Sequence, residues 1–156
     1  VIKEPIMGNQ TMTLAEQENI NRIANQKHFL KEIDLIIDWT KINKVLSKVE
    51  IRRESVAGSD TYSAEVMFRI LLIQSWYQLS DYQLEEQLTY NLMFLYFSHL
   101  SLENPIPDHS TISRWRSRFS EKNIFDELLE EINRQLVMHN IEVHEGVIVD
   151  ATLVES

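Results

Sequence analysis

Ser63-Ala64-Glu65-Val66-Met67-Phe68-Arg69-Ile70-Leu71-Leu72-Ile73-Gln74-Ser75-Trp76-Tyr77-Gln78-Leu79 is the most apolar stretch of the chain. Val66, Phe68, Ile70, Leu71, Leu72, Ile73, Trp76 and Tyr77 cover nearly every face of a helix. A helix with no polar stripe to turn toward water has to lie at the centre of a domain, covered by its neighbours. The run Ile70 to Ile73 is broken at once by Gln74 and Ser75, far short of a membrane span.

Working outward, the upstream neighbours are amphipathic. Phe29, Leu30, Ile33, Ile36 and Ile37 predict a helix ending near Asp38-Trp39, and Ile42, Val45, Leu46 and Val49 predict a short one after it. Thr13 and Glu16 are spaced as a capping box for a first helix with only Leu14, Ile20 and Ile23 to bury. Residues 1–12 show no period and read as a loose tail, and 50–61 read as an exposed linker. Downstream, Ser80 with Gln83 caps a short helix through Thr89 that turns Leu84 and Leu88 inward. Asn91 caps the next, rich in Phe94, Leu95, Tyr96 and Phe97. Pro105 and Pro107 force an extended break, after which Asp108 or Ser110 caps a helix to Phe119. Asn123 is expected to cap a last long helix with the stripe Phe125, Leu128, Leu129, Ile132 and Leu136. After Gly146, the β-branched run Val147-Ile148-Val149-Asp150 reads as a buried strand. The fold class is therefore mainly α, with about six or seven helices and one terminal strand. A strand without a partner leaves its backbone unsatisfied, so the chain reads as truncated.

Composition agrees. Only three glycines and three prolines interrupt the chain, which favours long helices. The absence of cysteine excludes a disulfide scaffold and a cysteine zinc module. No signal-peptide run opens the chain, and a soluble cytoplasmic protein with no membrane partner is expected. The net charge of −9 opposes nucleic-acid binding if taken whole. Its distribution weakens that objection: residues 1–120 hold 13 basic and 15 acidic side chains, and 121–156 hold two basic and nine acidic. A basic face away from the acidic last quarter is compatible with these numbers.

The first chemical constellation is Pro107-Asp108-His109-Ser110-Thr111-Ile112-Ser113-Arg114-Trp115-Arg116-Ser117-Arg118-Phe119. On a helical wheel Ile112, Trp115 and Phe119 share one side. Ser110, Arg114, Ser117 and Arg118 share the opposite side, and Arg116 flanks the apolar stripe. Such a helix can read DNA. Its arginines suit phosphates and guanine edges, and the hydroxyls of Ser110, Thr111, Ser113 and Ser117 suit phosphate oxygens. With the two helices before it, it would complete a helix-turn-helix-like trio. An amphipathic surface helix with three arginines is also common in proteins that never meet DNA, and the pattern alone leaves both readings open. Asp150, at the end of a strand, is a rigid place for a metal-binding carboxylate, but a lone acid there is more often a turn residue. His139 and His144, five apart, do not match a zinc spacing and read as surface residues. Trp76, Tyr77 and Tyr82 read as core rather than as a platform for stacked bases.

These segments taken together resemble a known family. Tyr77-Gln78-Leu79-Ser80-Asp81-Tyr82-Gln83-Leu84-Glu85-Glu86-Gln87-Leu88, Tyr90-Asn91-Leu92, Phe97-Ser98-His99-Leu100-Ser101-Leu102, Ile106 to Thr111 and Val149-Asp150-Ala151-Thr152-Leu153-Val154-Glu155-Ser156 are similar to the DDE transposases of bacterial insertion sequences, in the IS-five (InsH-like) group. The likeness runs from about Ile36 to the last residue. It implies a loose tail or helix over 1–28, a helical DNA-recognition domain over 29–140, and over 141–156 the first strand of an RNase H-like catalytic domain. Asp150 then stands where the first acid of the family's Asp-Asp-Glu set stands. In the full-length enzymes those carboxylates hold Mg2+ for cutting and joining DNA. The second Asp and the Glu have no counterpart here, Glu155 being too close, so no cofactor and no catalysis are expected of this chain alone.

The implied partners are the terminal inverted repeats of an insertion sequence and a second copy or a full-length transposase, in the bacterial cytoplasm at the nucleoid. The expected truncation fits decay, a cloned fragment, or the first of two frames joined by frameshifting. An inhibitory regulator of the full enzyme is a further reading. A helical protein-interaction domain, using the acidic last quarter, is the reading from another class.

Overall fold

The computed structural model describes residues 13–24, 28–53, 62–144 and 147–150. Among these it has eight α-helices, a 3-10 turn and two short strands. In chain order the helices are α1 (Leu14–Ala24), α2 (Phe29–Ile36), α3 (Trp39–Arg53), α4 (Ala64–Tyr77), α5 (Asp81–Tyr90), α6 (Leu92–Ser98), α7 (His109–Ser120) and α8 (Ile124–Met138), followed by β1 (Ile141–His144) and β2 (Val147–Asp150). The expected tail over 1–12, the expected linker over 54–61 and the motif residues 151–156 lie outside the described residues.

The apolar stretch that opened the argument is α4, and it is central. Ser63 caps it by accepting from the Val66 N–H, and Gln78 ends it in the left-handed region at φ 53°. Ala64, Met67, Phe68, Ile70, Leu71, Leu72, Ile73 and Trp76 are all buried. Helices α3, α6 and α7 pack around it, and α8 closes against α3 and α7. Edge-to-face contacts of Phe68 with Phe119 and Phe125, and of Trp76 with Phe97, join α4 to α7, α8 and α6.

One residue in this core is not apolar. Arg69 is 2% exposed. It donates to Asp34 Oδ1 of α2 at 2.7 Å and to the Phe97 carbonyl of α6 at 3.0 Å, and its guanidinium lies 3.7 Å from the centroid of Trp39 in α3. A buried guanidinium survives only with such partners, and here they tie four helices to one side chain.

Local capping follows the sequence closely. Thr13 and Glu16 exchange bonds at the start of α1. Ser80 and Gln83 make the full capping box on α5, and Asn91 Oδ1 accepts from the Met93 and Phe94 amides of α6. Two details differ from expectation. Helix α3 runs to Arg53, so residues 50–53 belong to it rather than to a linker. Asn123 does not cap α8 with its side chain; it ends a 3-10 turn over Glu121–Asn123 in the left-handed region at φ 59°. The terminal strand is also not alone. β1 and β2 pair antiparallel with Ile141 opposite Asp150, which gives the strand the partner that the sequence did not reveal. No described helix is long and apolar enough to cross a membrane.

Candidate nucleic-acid interface

Helix α7 is placed by its start and its underside. Asp108 caps it, accepting from the Thr111 N–H at 2.8 Å and from the Ser110 hydroxyl at 2.9 Å. These bonds hold the Asp108 carboxyl down at about 2, led by the Thr111 amide. Ile112, Trp115 and Phe119 are fully buried under the helix, against α4 and α8. The apolar seam faces in, and of the four residues read on the opposite side Ser110, Arg114 and Ser117 face solvent while Arg118 is half-buried.

The three arginines have different positions. Arg114 is exposed and its Nη2 donates to Thr111 Oγ1 at 3.1 Å, a loose intrahelical bond that leaves its other donors outward. Arg118 is half-buried with its guanidinium 4.7 Å from the Trp115 ring centroid, a cation–π contact that keeps it against the helix. Arg116 is turned inward. It makes a bidentate pair with Asp81 at the start of α5, at 2.5 and 2.8 Å, and also donates to Gln74 of α4 at 3.0 Å. The pair pushes the Arg116 pKa up, and the Arg116 hydrogen bond holds the Asp81 carboxyl below its ordinary value. Thr111 and Ser113 are half-buried beside the exposed residues. The structure thus brings Ser110, Ser113, Arg114 and Ser117 together on one outward face, and gives Arg116 the work of fixing α7 on α5.

The trio has a particular geometry. A single residue, Asn91, separates α5 from α6, whereas ten residues, 99–108, separate α6 from α7. That connection is longer than the three- or four-residue turn of a simple helix-turn-helix, about which α7 would be set by α6. Here α5, not α6, holds α7 most closely.

Sequence reading missed an aromatic feature at this end of α7. Trp76 is buried and Tyr77 half-buried as expected, but Tyr82 is 67% exposed and stacks on His109 with ring centroids 4.1 Å apart and planes 20° apart. Its position was readable: Tyr82 stands two residues before Leu84, which puts it on the far side of α5 from the buried pair Leu84 and Leu88. Glu85 Oε1 holds His109 by accepting from its backbone N–H at 2.8 Å and lying 3.3 Å from Nδ1.

Asp150 ends β2, and its side chain lies outside the described residues. Among the described residues no group of three or more His, Cys, Asp or Glu is placed to hold a metal ion. His139 is exposed, as read from its spacing.

The family model described as Transposase domain (DUF772) matches residues 18–118, a span that covers the core helices and ends inside α7. No match was found among solved structures. The match extends over more than half of the chain, and the protein belongs to this transposase-domain family.

Proposed function

We propose that this chain is the DNA-recognising part of a transposase, with α7 as the helix that meets the terminal inverted repeats of an insertion sequence. Membership of the transposase-domain family supports a role in transposition. The observation that carries the DNA reading is the segregation on α7: Trp115 is 1% exposed beneath the helix, while Arg114, Ser110 and Ser117 stand outward. A rigid helix with a buried seam and outward donors can enter a groove without reorganising, and its arginine and hydroxyls match phosphate oxygens and base edges. In the same reading Asp150 is the first carboxylate of an Asp-Asp-Glu set, and the module delivers DNA to that chemistry.

Salt dependence tests the assignment. Arg114→Ala lowers the slope of log K against log salt by about 0.9 for a duplex carrying an inverted repeat, because one phosphate contact is lost. Arg116→Ala leaves that slope unchanged, because Arg116 is spent on Asp81. A slope insensitive to Arg114 moves the DNA surface elsewhere.

A second reading rests on α8. Its exposed Asp126 and Glu130, beside a Glu127 paired with Lys48 at 3.3 Å, repel phosphate and suit a basic protein partner. Failure of the wild-type chain to retain any duplex at low salt favours that reading.

A further inference from the structure

The first turns of α5 and α7 meet at the stacked pair Tyr82 and His109. We propose that this pair is a platform for an unpaired nucleobase at a frayed or flipped position of the DNA, an extension that rests on the DNA reading of α7.

The geometry is that of a prepared surface. One face of the Tyr82 ring lies on His109 at 4.1 Å, and with two-thirds of the residue exposed the opposite face is open to solvent. The support beneath is fixed, because Glu85 Oε1 holds both the His109 backbone N–H and Nδ1. Two helix starts anchor the ring pair. Tyr82 lies within the Ser80–Gln83 capping box, and His109 is the first residue after the Asp108 cap. An aromatic ring held rigidly and left open loses little freedom when a flat partner arrives on it.

The charges around the platform select the kind of partner. Asp108 is exposed and ionised, held at about 2 by its bonds to Thr111 and Ser110. Glu85 is half-buried beside it, while the charge of Asp81 is met by Arg116. Two carboxylates around His109, the support of the ring pair, disfavour phosphate there. They accept instead from amino groups, and adenine, cytosine and guanine each carry one. The favoured partner is therefore a flat, uncharged, amino-bearing ring, which is a base rather than a backbone segment. Inside a duplex a base is stacked between its neighbours and paired with its partner, so only an unpaired or extruded base is free to lie on the ring. Arg114 and the hydroxyl of Ser117 lie further along the same helix, where the adjoining backbone would run.

The test uses the whole chain and two duplexes of one inverted-repeat sequence, one blunt and one with a short unpaired end carrying 2-aminopurine. Binding of the unpaired end to the wild type quenches the 2-aminopurine and is tighter than binding of the blunt duplex. Tyr82→Leu loses the quenching and weakens binding of the unpaired end by about 5- to 160-fold, the range for one stacked base, with blunt binding unchanged. Tyr82→Trp keeps both effects, which a role in packing alone would not predict of so large a residue. Equal effects of Tyr82→Leu on the two duplexes, or none on either, overturn the platform. If blunt binding still depends on Arg114 in that case, the DNA reading of α7 stands without it. If the wild type binds neither duplex, both fall.

Discussion

Arg69 concentrates four helices on one charge. Removing its carboxylate partner leaves a guanidinium buried with too few acceptors, whereas removing the arginine leaves a mostly apolar site. Asp34→Ala is therefore expected to lower stability by about 3–5 kcal/mol in urea unfolding, and Arg69→Met by clearly less. The reverse order would show that the charge itself, not its compensation, holds the helices. His99 lies in the same region at the end of α6, at φ 63°, with Nδ1 3.7 Å from Glu65 Oε2. Burial pushes its pKa below the usual 6.5, with Arg69 acting in the same direction and Asp34 and Glu65 opposing. The folded chain then binds fewer protons at His99 than the unfolded chain does. Stability from this group is complete above about 6.5 and is lost as the pH falls from there toward the folded value. His99→Asn keeps the left-handed backbone and should flatten the stability profile between pH 7.5 and 5.5; an unchanged profile would assign that slope to other groups. Little of this was legible from the sequence, where Arg69 stands inside an apolar run with only Glu65, one turn before it, as a readable partner. Glu65 lies 3.9 Å from Arg69 Nε, but the two acceptors of the arginine's hydrogen bonds are 35 and 28 residues away, and only the packing brings them together.

At the scale of the element, what could be read was what is local. Capping by Ser80, Asn91 and Asp108 involves residues two or three apart, and the apolar seam of α7 repeats at helical spacing. Contacts between elements were out of reach, so Arg116 was grouped with Arg114 and Arg118 although it belongs to the joint between α5 and α7. Asn123 misled for a related reason: the residue types that cap helices also tolerate the left-handed region, and here the 3-10 turn before α8 uses the second property. The seam of α7 makes its own prediction. The Trp115 indole N–H is buried without an acceptor among the described residues. Trp115→Phe therefore breaks no hydrogen bond and costs only the volume lost, whereas Trp115→Ala opens a cavity worth about 3–5 kcal/mol. Thermal unfolding of the two variants separates these outcomes, and equal losses would mean that the indole has a partner after all.

Over the whole molecule the charge asymmetry seen in the sequence becomes a division of surfaces. Acidic side chains line the outside of α8, and Arg114 with its hydroxyl neighbours occupies α7, which packs on α8 with its opposite, apolar side. The mainly helical class and the central position of α4 were legible because an all-apolar helix has only one place to go. The β1–β2 pairing was missed although Ile141-Glu142-Val143-His144 alternates apolar and polar, a signal as short as a strand signal can be. Under the proposed function α7 meets DNA with its outward face. Backbone amide shifts of the wild-type chain, followed during titration with an inverted-repeat duplex, test it directly. Ser110, Ser113, Arg114 and Ser117 are expected to move together and saturably, while Asp126, Glu127 and Glu130 on α8 stay in place. Shifts confined to α8, or an α7 that stays silent while the duplex binds, would contradict it.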